Sequence, residues 1–264
     1  MSHEWDAVAD TYETTSEKTT GAFLPRYLDF VRPVAGQLLA DVGCGPGVLT
    51  LAFTAAGARV KALDASAPMI ERLRSRAVDA GVAHLVDAFV GDAAALPFDA
   101  SECDAAVSNF GVIFCADIDG ALRELARVTR ADGALMVSAW SREAENGWTS
   151  LLGPDHADVL GFRLPPRPMY HWSSSDEFAS ACGRAGWVDV AVDEADGVPS
   201  TFDSADHIGD ALEVPASKAV LRSLSESQHA TLRAYLEHRA RELFGDGEVR
   251  LPRHAWLATG RASL

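Results

Sequence analysis

Short apolar segments near residues 38–42, 58–63, 86–90, 104–109 and 134–140 alternate with stretches near 47–57, 67–80 and 118–130 in which apolar positions recur every three to four residues. Short continuous apolar runs suit strands buried on both faces, and the helical period between them suits helices laid on a sheet. The pattern predicts a doubly wound, mostly parallel α/β sheet. Two long stretches stand outside that alternation. Residues 141–175 are rich in Gly, Pro, Trp and His, and 197–250 hold a long helix opened by a capping box at Ser225 and Gln228, carried by Leu232, Leu236 and Leu243, and ended at Gly245. Both are expected to cap the open face of a single domain spanning 1–264, made of N-terminal lid helices in 1–36, a core 37–140, the two caps, and late strands at 187–192 and 254–260. No repeat or low-complexity linker divides the chain.

The first strand runs into Asp41-Val42-Gly43-Cys44-Gly45-Pro46-Gly47 and then a helical pattern. Glycine spacing of this kind lets a ligand lie against bare backbone at a helix N-terminus. A dinucleotide fingerprint would need Gly or Ala where Val48 stands, so a nicotinamide-dependent oxidoreductase is the weaker reading. A carboxylate two residues before the first glycine suits a ligand with a cationic end and disfavours a diphosphate. Asp64 ends the second apolar segment about 20 residues later, where a carboxylate can take ribose hydroxyls. Asp92, followed by Ala93, ends the third. Carboxylates at three adjacent strand ends suit a nucleoside that carries a sulfonium and an amino group.

With these residues the chain resembles the class I S-adenosylmethionine-dependent methyltransferases. Asp41 to Gly47 is similar to their first motif, Leu63-Asp64-Ala65-Ser66-Ala67-Pro68-Met69-Ile70 to the end of their second strand, and Val90 to Phe98 to their third. Asp104 to Gly111 and Ala121 to Val137 are similar to their fourth strand, following helix and fifth strand, so the resemblance covers about 38–140 in order. It implies a seven-stranded Rossmann-like methyltransferase fold with the last strand inserted antiparallel. S-adenosyl-L-methionine is then the cofactor and S-adenosyl-L-homocysteine the product. The implied contacts are Asp41, Gly43, Cys44, Gly45 and Gly47 around the methionine portion, Asp64 and Ala65 at the ribose, Asp92 and Ala93 at the adenine, and Asn109 with Phe110 as floor. Met69 either packs on the nucleoside or is ordinary core. The nearest subgroup is the ubiquinone/menaquinone C-methyltransferases, whose N-terminal cover Trp5 to Tyr12 resembles. The segment after Gly111, Val112-Ile113-Phe114-Cys115-Ala116-Asp117, lacks the Arg-Asn pair of the quinone enzymes, which turns the expected acceptor toward small secondary-metabolite or quinone-like molecules.

Methyl transfer asks mainly for a dry, collinear arrangement. Tyr12, Phe114, Trp148, Tyr170 and Trp172 are the candidate acceptor-lining residues. An oxygen nucleophile would profit from a general base, for which His156 and His171 are candidates. O-, N- and C-methylation stay open. The formal net charge of −15 disfavours nucleic acid and acidic membrane surfaces as partners. No run of 18 apolar residues and no secretory start is present, so a cytoplasmic enzyme is expected. The four cysteines show neither zinc-ligand nor disulfide-framework spacing, and no metal is expected. A protein that keeps the fold but guides another reaction, or acts as a binding partner, is the remaining alternative.

Overall fold

The computed structural model describes residues 5, 6, 9, 12, 16–167 and 169–263. Val8, part of the expected N-terminal cover, lies outside the described residues.

Strands β1 Leu38–Val42, β2 Arg59–Asp64, β3 Val86–Val90, β4 Cys103–Asn109, β5 Thr129–Trp140 and β6 Trp187–Asp196 precede a short pair, β7 Ser200–Phe202 and β8 Val249–Leu251, and the last strand, β9 His254–Ala262. Seven of them make one sheet in the order β3-β2-β1-β4-β5-β9-β6, and β7 pairs with β8 apart from it. β1 to β5 pair in parallel, whereas β9 runs antiparallel to both of its neighbours. The Rossmann-like sheet implied by the motifs is therefore present. From β1 the chain works outward to β3 and then returns to the other side of β1, so the loops leaving β1 and β4 diverge and open a crevice at the strands' carboxyl ends.

Nine helices are described: α1 Glu17–Thr20, α2 Leu24–Val31, α3 Val48–Ala55, α4 Ala67–Asp79, α5 Ile118–Val128, α6 His156–Leu160, α7 Ser175–Arg184, α8 Pro215–Leu221 and α9 Glu226–Phe244. Four of their starts are written in the sequence. Ser66, Asp117, Ser174 and Ser225 each accept, through the side chain, from the amide three residues on, which stabilises a helix end by roughly 1 kcal/mol. α4 buries Met69, Ile70, Leu73 and Ala77, the stripe its period predicts.

Packing divides into two apolar clusters. The larger wraps the sheet through residues such as Val42, Leu63, Ile70, Val107, Leu122 and Val137. The smaller draws on both insertions, joining Trp148 and Leu151 to Ile208, Leu212, Leu232 and Leu236. On α9 the buried stripe runs through Leu232 and Leu236 to Ala240, while Leu243, near the helix end, is 55% exposed. The β7–β8 pair inside the second insertion was not foreshadowed, because three-residue strands are too short for a period to show. No helix among the described residues is long and apolar enough to cross a membrane.

Candidate functional site

Gly43, Gly45 and Gly47 all take left-handed backbone, with φ of 69°, 54° and 95°. At Gly43 a Cβ would stand 2.6 Å from the Gly111 Cα, so the loops after β1 and β4 touch backbone to backbone and only glycine fits. Asp64, at the end of β2, fastens this loop: Oδ2 accepts from the Gly45 amide at 2.8 Å and Oδ1 from the Ser66 amide at 2.9 Å. Desolvation raises the Asp64 pKa, and these amides oppose it.

Asp41 behaves differently from the expectation. It is 1% exposed, and its Oδ2 accepts from the Thr50 amide at 3.0 Å and the Thr50 hydroxyl at 2.6 Å. The carboxylate thus ties β1 to the first turn of α3 beneath the glycine loop and does not line the crevice. Burial pushes its pKa up to about 7 against the Thr50 hydrogen bonds.

A cavity of about 560 Å³ fills the crevice. Gly43, Gly45, Asp64, Ala65, Met69, Asp92 and Ala93 line it from the ends of β1 to β3, and Asn109 and Phe110 from the end of β4. Cys44 and Gly47 do not. The Cys44 side chain is buried with Sγ 3.5 Å from the Gly45 carbonyl, and Gly47 packs against Leu73, so both shape the turn from behind.

Beyond β4 a hydrogen-bonded knot fixes the floor. The Ser138 hydroxyl donates to Asn109 Oδ1 at 3.0 Å and accepts from the Phe110 amide at 2.9 Å, while Asn109 Nδ2 donates to the Thr20 carbonyl at 3.0 Å. The Tyr27 hydroxyl, wholly buried, lies 2.8 Å from the Ser108 carbonyl and 3.0 Å from Ser138 Oγ.

Tyr12, Phe114, Trp148 and Tyr170 also line the cavity, and the Trp5 ring stands edge-on to Phe114 with centroids 4.9 Å apart. Trp148 Nε1 donates to Ser217 Oγ at 3.0 Å, which brings the two insertions together over the site. Trp172 is corrected: it is 4% exposed and stacks on Phe178 at 4.0 Å, inside the core and away from the cavity. Both histidines are corrected too. His156 Nδ1 faces its own helix's start, 2.8 Å from the Gly153 carbonyl, and His171 sits edge-on to Trp172 beside a separate surface hollow formed by 113–119.

Sequence reasoning missed Trp140, Arg167 and Arg253, which line the same cavity. Trp140 ends β5 and could have been flagged by the rule that ligands meet strand ends. Nothing in the sequence distinguished the two arginines from the other basic residues.

Strand ends, glycine loop and crevice together form one site at the switch point of a Rossmann-like sheet. A methyltransferase-domain family profile matches residues 40–137. Malonyl-acyl-carrier protein O-methyltransferase of Erwinia billingiae is 40% identical over 110 residues, 41% of each chain, and the chain spans about half the length of several other curated relatives. Demethylmenaquinone methyltransferase of Renibacterium salmoninarum is 28% identical over 207 residues, covering 71% of this chain and 83% of that one. Among solved structures, the YcgJ protein of Bacillus subtilis superimposes with a TM-score of 0.62 at 20% identity, over 91% of this chain and 98% of that one. Residues 40–137 of the chain are thus similar to a methyltransferase domain, and its curated relatives include quinone-biosynthesis C-methyltransferases.

Proposed function

We propose that this protein transfers a methyl group from S-adenosylmethionine to a small-molecule acceptor enclosed between the sheet and the two insertions. One observation carries the reading: Asp64 and Asp92 face a single cavity beside a glycine loop too tight for any side chain at Gly43. The residues fit the cofactor. Gly43 and Gly45 offer backbone to the methionine portion, Asp64 offers an acceptor for ribose hydroxyls, Ala93 and Asp92 flank the adenine, and Asn109 and Phe110 form the floor. When bound, S-adenosylmethionine supplies an electrophilic methyl for in-line displacement.

What the chain itself contributes is orientation and dryness. Trp148, Tyr170 and Val220 close the cavity from the insertions, and Trp5 and Tyr12 from the N-terminal side. No histidine lines it among the described residues. Burial pushes the Tyr12 pKa to about 12 and raises that of Tyr170, so neither phenol is a base at neutral pH. The acceptor's nucleophile therefore arrives ready to react, and this favours acceptors that need no proton removed by the protein.

Calorimetry tests the reading. S-adenosylhomocysteine should bind in the micromolar range, roughly −7 to −8 kcal/mol, and NAD should not. S-adenosylmethionine should be consumed in the presence of a suitable acceptor. Tight NAD binding with silent S-adenosylmethionine would sink it.

A further inference from the structure

Among the described residues four formally charged side chains line the cavity, and they are sorted by place. Asp64 and Asp92 stand at the strand ends, Arg167 and Arg253 under the insertions. In a chain of net charge −15, two guanidinium groups on one wall of an internal chamber call for a reason.

Arg253 occupies the two-residue connection between β8 and β9. Its Nε donates to Ser200 Oγ at 3.1 Å and its Cζ lies 5.6 Å from the Trp140 ring centroid. Neither Nη1 nor Nη2 has a hydrogen-bond partner among the described residues, and no carboxylate there pairs with it. Gly147, in left-handed backbone with φ 53°, donates to the Pro252 carbonyl at 2.8 Å; a Cβ on it would meet Nη1 at 2.9 Å. The fork is thus laid flush against bare backbone between a ring and a hydroxyl, and held in place.

Arg167, from the first insertion, lies with Cζ 5.6 Å from the Trp148 ring. It pairs through Nη2 with Glu143, and its Nε and Nη1 are buried without a partner. Desolvation lowers both guanidinium pKa values, with Tyr170 opposing in each case. Among the described residues these two positive charges share one carboxylate, which leaves one charge over. A buried charge is costly unless something pairs with it. If the stems were wanted only for packing, an uncharged side chain would serve.

We infer that the methyl acceptor is a small, largely apolar carboxylate, whose anionic group is gripped by Arg253 and Arg167 while its body lies among Trp140, Trp148 and Tyr170. The inference rests on the methyltransferase reading for the word acceptor, but the anion site stands on its own residues. The planar fork of arginine matches a carboxylate in two-point contact. One surplus charge suits a monoanion better than a phosphate dianion. A carboxylate is already ionised at neutral pH and asks for no proton to be removed.

The test uses matched probes on the full chain saturated with S-adenosylhomocysteine: phenylacetate beside phenylacetamide, octanoate beside octanamide, and phenyl phosphate, read by calorimetry. Each carboxylate should bind at least tenfold more tightly than its amide. Arg253→Met and Arg167→Met should each lower carboxylate affinity at least tenfold and leave the amides and S-adenosylhomocysteine within twofold, with Arg253→Lys falling between. Equal affinity for acids and amides, no binding of either acid at millimolar concentration, or tighter binding of phenyl phosphate than of both acids overturns the proposal. Should Arg253→Met fail to fold, the wild-type pairs and Arg167→Met decide alone. Failure of the wild type to bind S-adenosylhomocysteine would strike the methyl-transfer reading, and the same acid–amide comparison without it would still settle the anion site.

Discussion

The rings of Phe110 and Trp140 stack with centroids 4.1 Å apart and planes 23° from parallel, joining the ends of the neighbouring strands β4 and β5. Phe110 holds left-handed backbone, φ 59°, which costs a non-glycine residue about 1–2 kcal/mol. The hydrogen bond that its N–H donates to the Ser138 hydroxyl and this stack offset that cost and keep the floor of the cavity in one shape. Trp140→Ala should lower unfolding free energy by about 2–3 kcal/mol, read by denaturant titration, and Trp140→Phe should recover most of it. An unchanged Trp140→Ala midpoint would show that Phe110 is held by the backbone bond alone.

Asp64 fastens the loop that a cofactor would lie against, and it faces the cavity as well. Asp64→Ala should weaken S-adenosylhomocysteine binding by about 1–3 kcal/mol, since buried hydroxyls lose a charged acceptor. Asp64→Asn, which keeps an acceptor for the Gly45 amide, should retain the loop yet lose part of the affinity. Calorimetry separates the two variants, and full affinity in both would confine Asp64 to holding the turn.

Asp41 makes a pH prediction whose sign follows from burial. Its folded pKa, about 7, lies above the ordinary carboxylate value near 4, so the folded chain binds this proton more tightly than the unfolded chain does. The stability it contributes is fully present below about pH 4 and is lost as pH rises through about 7. Asp41→Asn should remove that slope, and the difference between the two proteins across this window should approach, at most, about 4 kcal/mol. Parallel stability–pH curves for wild type and Asp41→Asn would refute the assignment.

The placement of the histidines gives a contrasting pair of outcomes. His156→Ala and His171→Ala should leave turnover within about twofold, since neither side chain lines the cavity; a loss on the order of 10²-fold would restore one of them as the base. Trp172→Ala should instead cost about 3–5 kcal/mol of stability through the void left beside Phe178. Thermal unfolding and initial rates distinguish these effects.

The sheet was legible because β1 to β5 are short, mainly apolar segments whose ends carry the chemistry; Asp64, Asp92 and Asn109 stand in the crevice for that reason. Asp41 was misread because a strand-end carboxylate can face up or down. Its hydroxyl partner Thr50, one turn into the helix, decides for down. Trp172 and the histidines were misread because the first insertion has no period from which to infer which way a side chain faces. Arg253 was invisible for another reason: it comes between two strands of different sheets and reaches the cavity only through the fold's longest connections.

The larger apolar cluster takes in Met169 and Trp172 of the first insertion, the smaller lies between the two insertions, and Val220 packs against both, so a void opened in the smaller one lies apart from the strands. The wall that faces the acceptor can be recut without repacking the strands that carry the glycine loop. The family profile stops at residue 137, three residues before β5 delivers Trp140 and the first insertion begins. The stretch that the profile matches carries the glycine loop, Asp64 and Asp92, whereas Trp140, Trp148 and Arg253 come after it, and the two meet at one chamber.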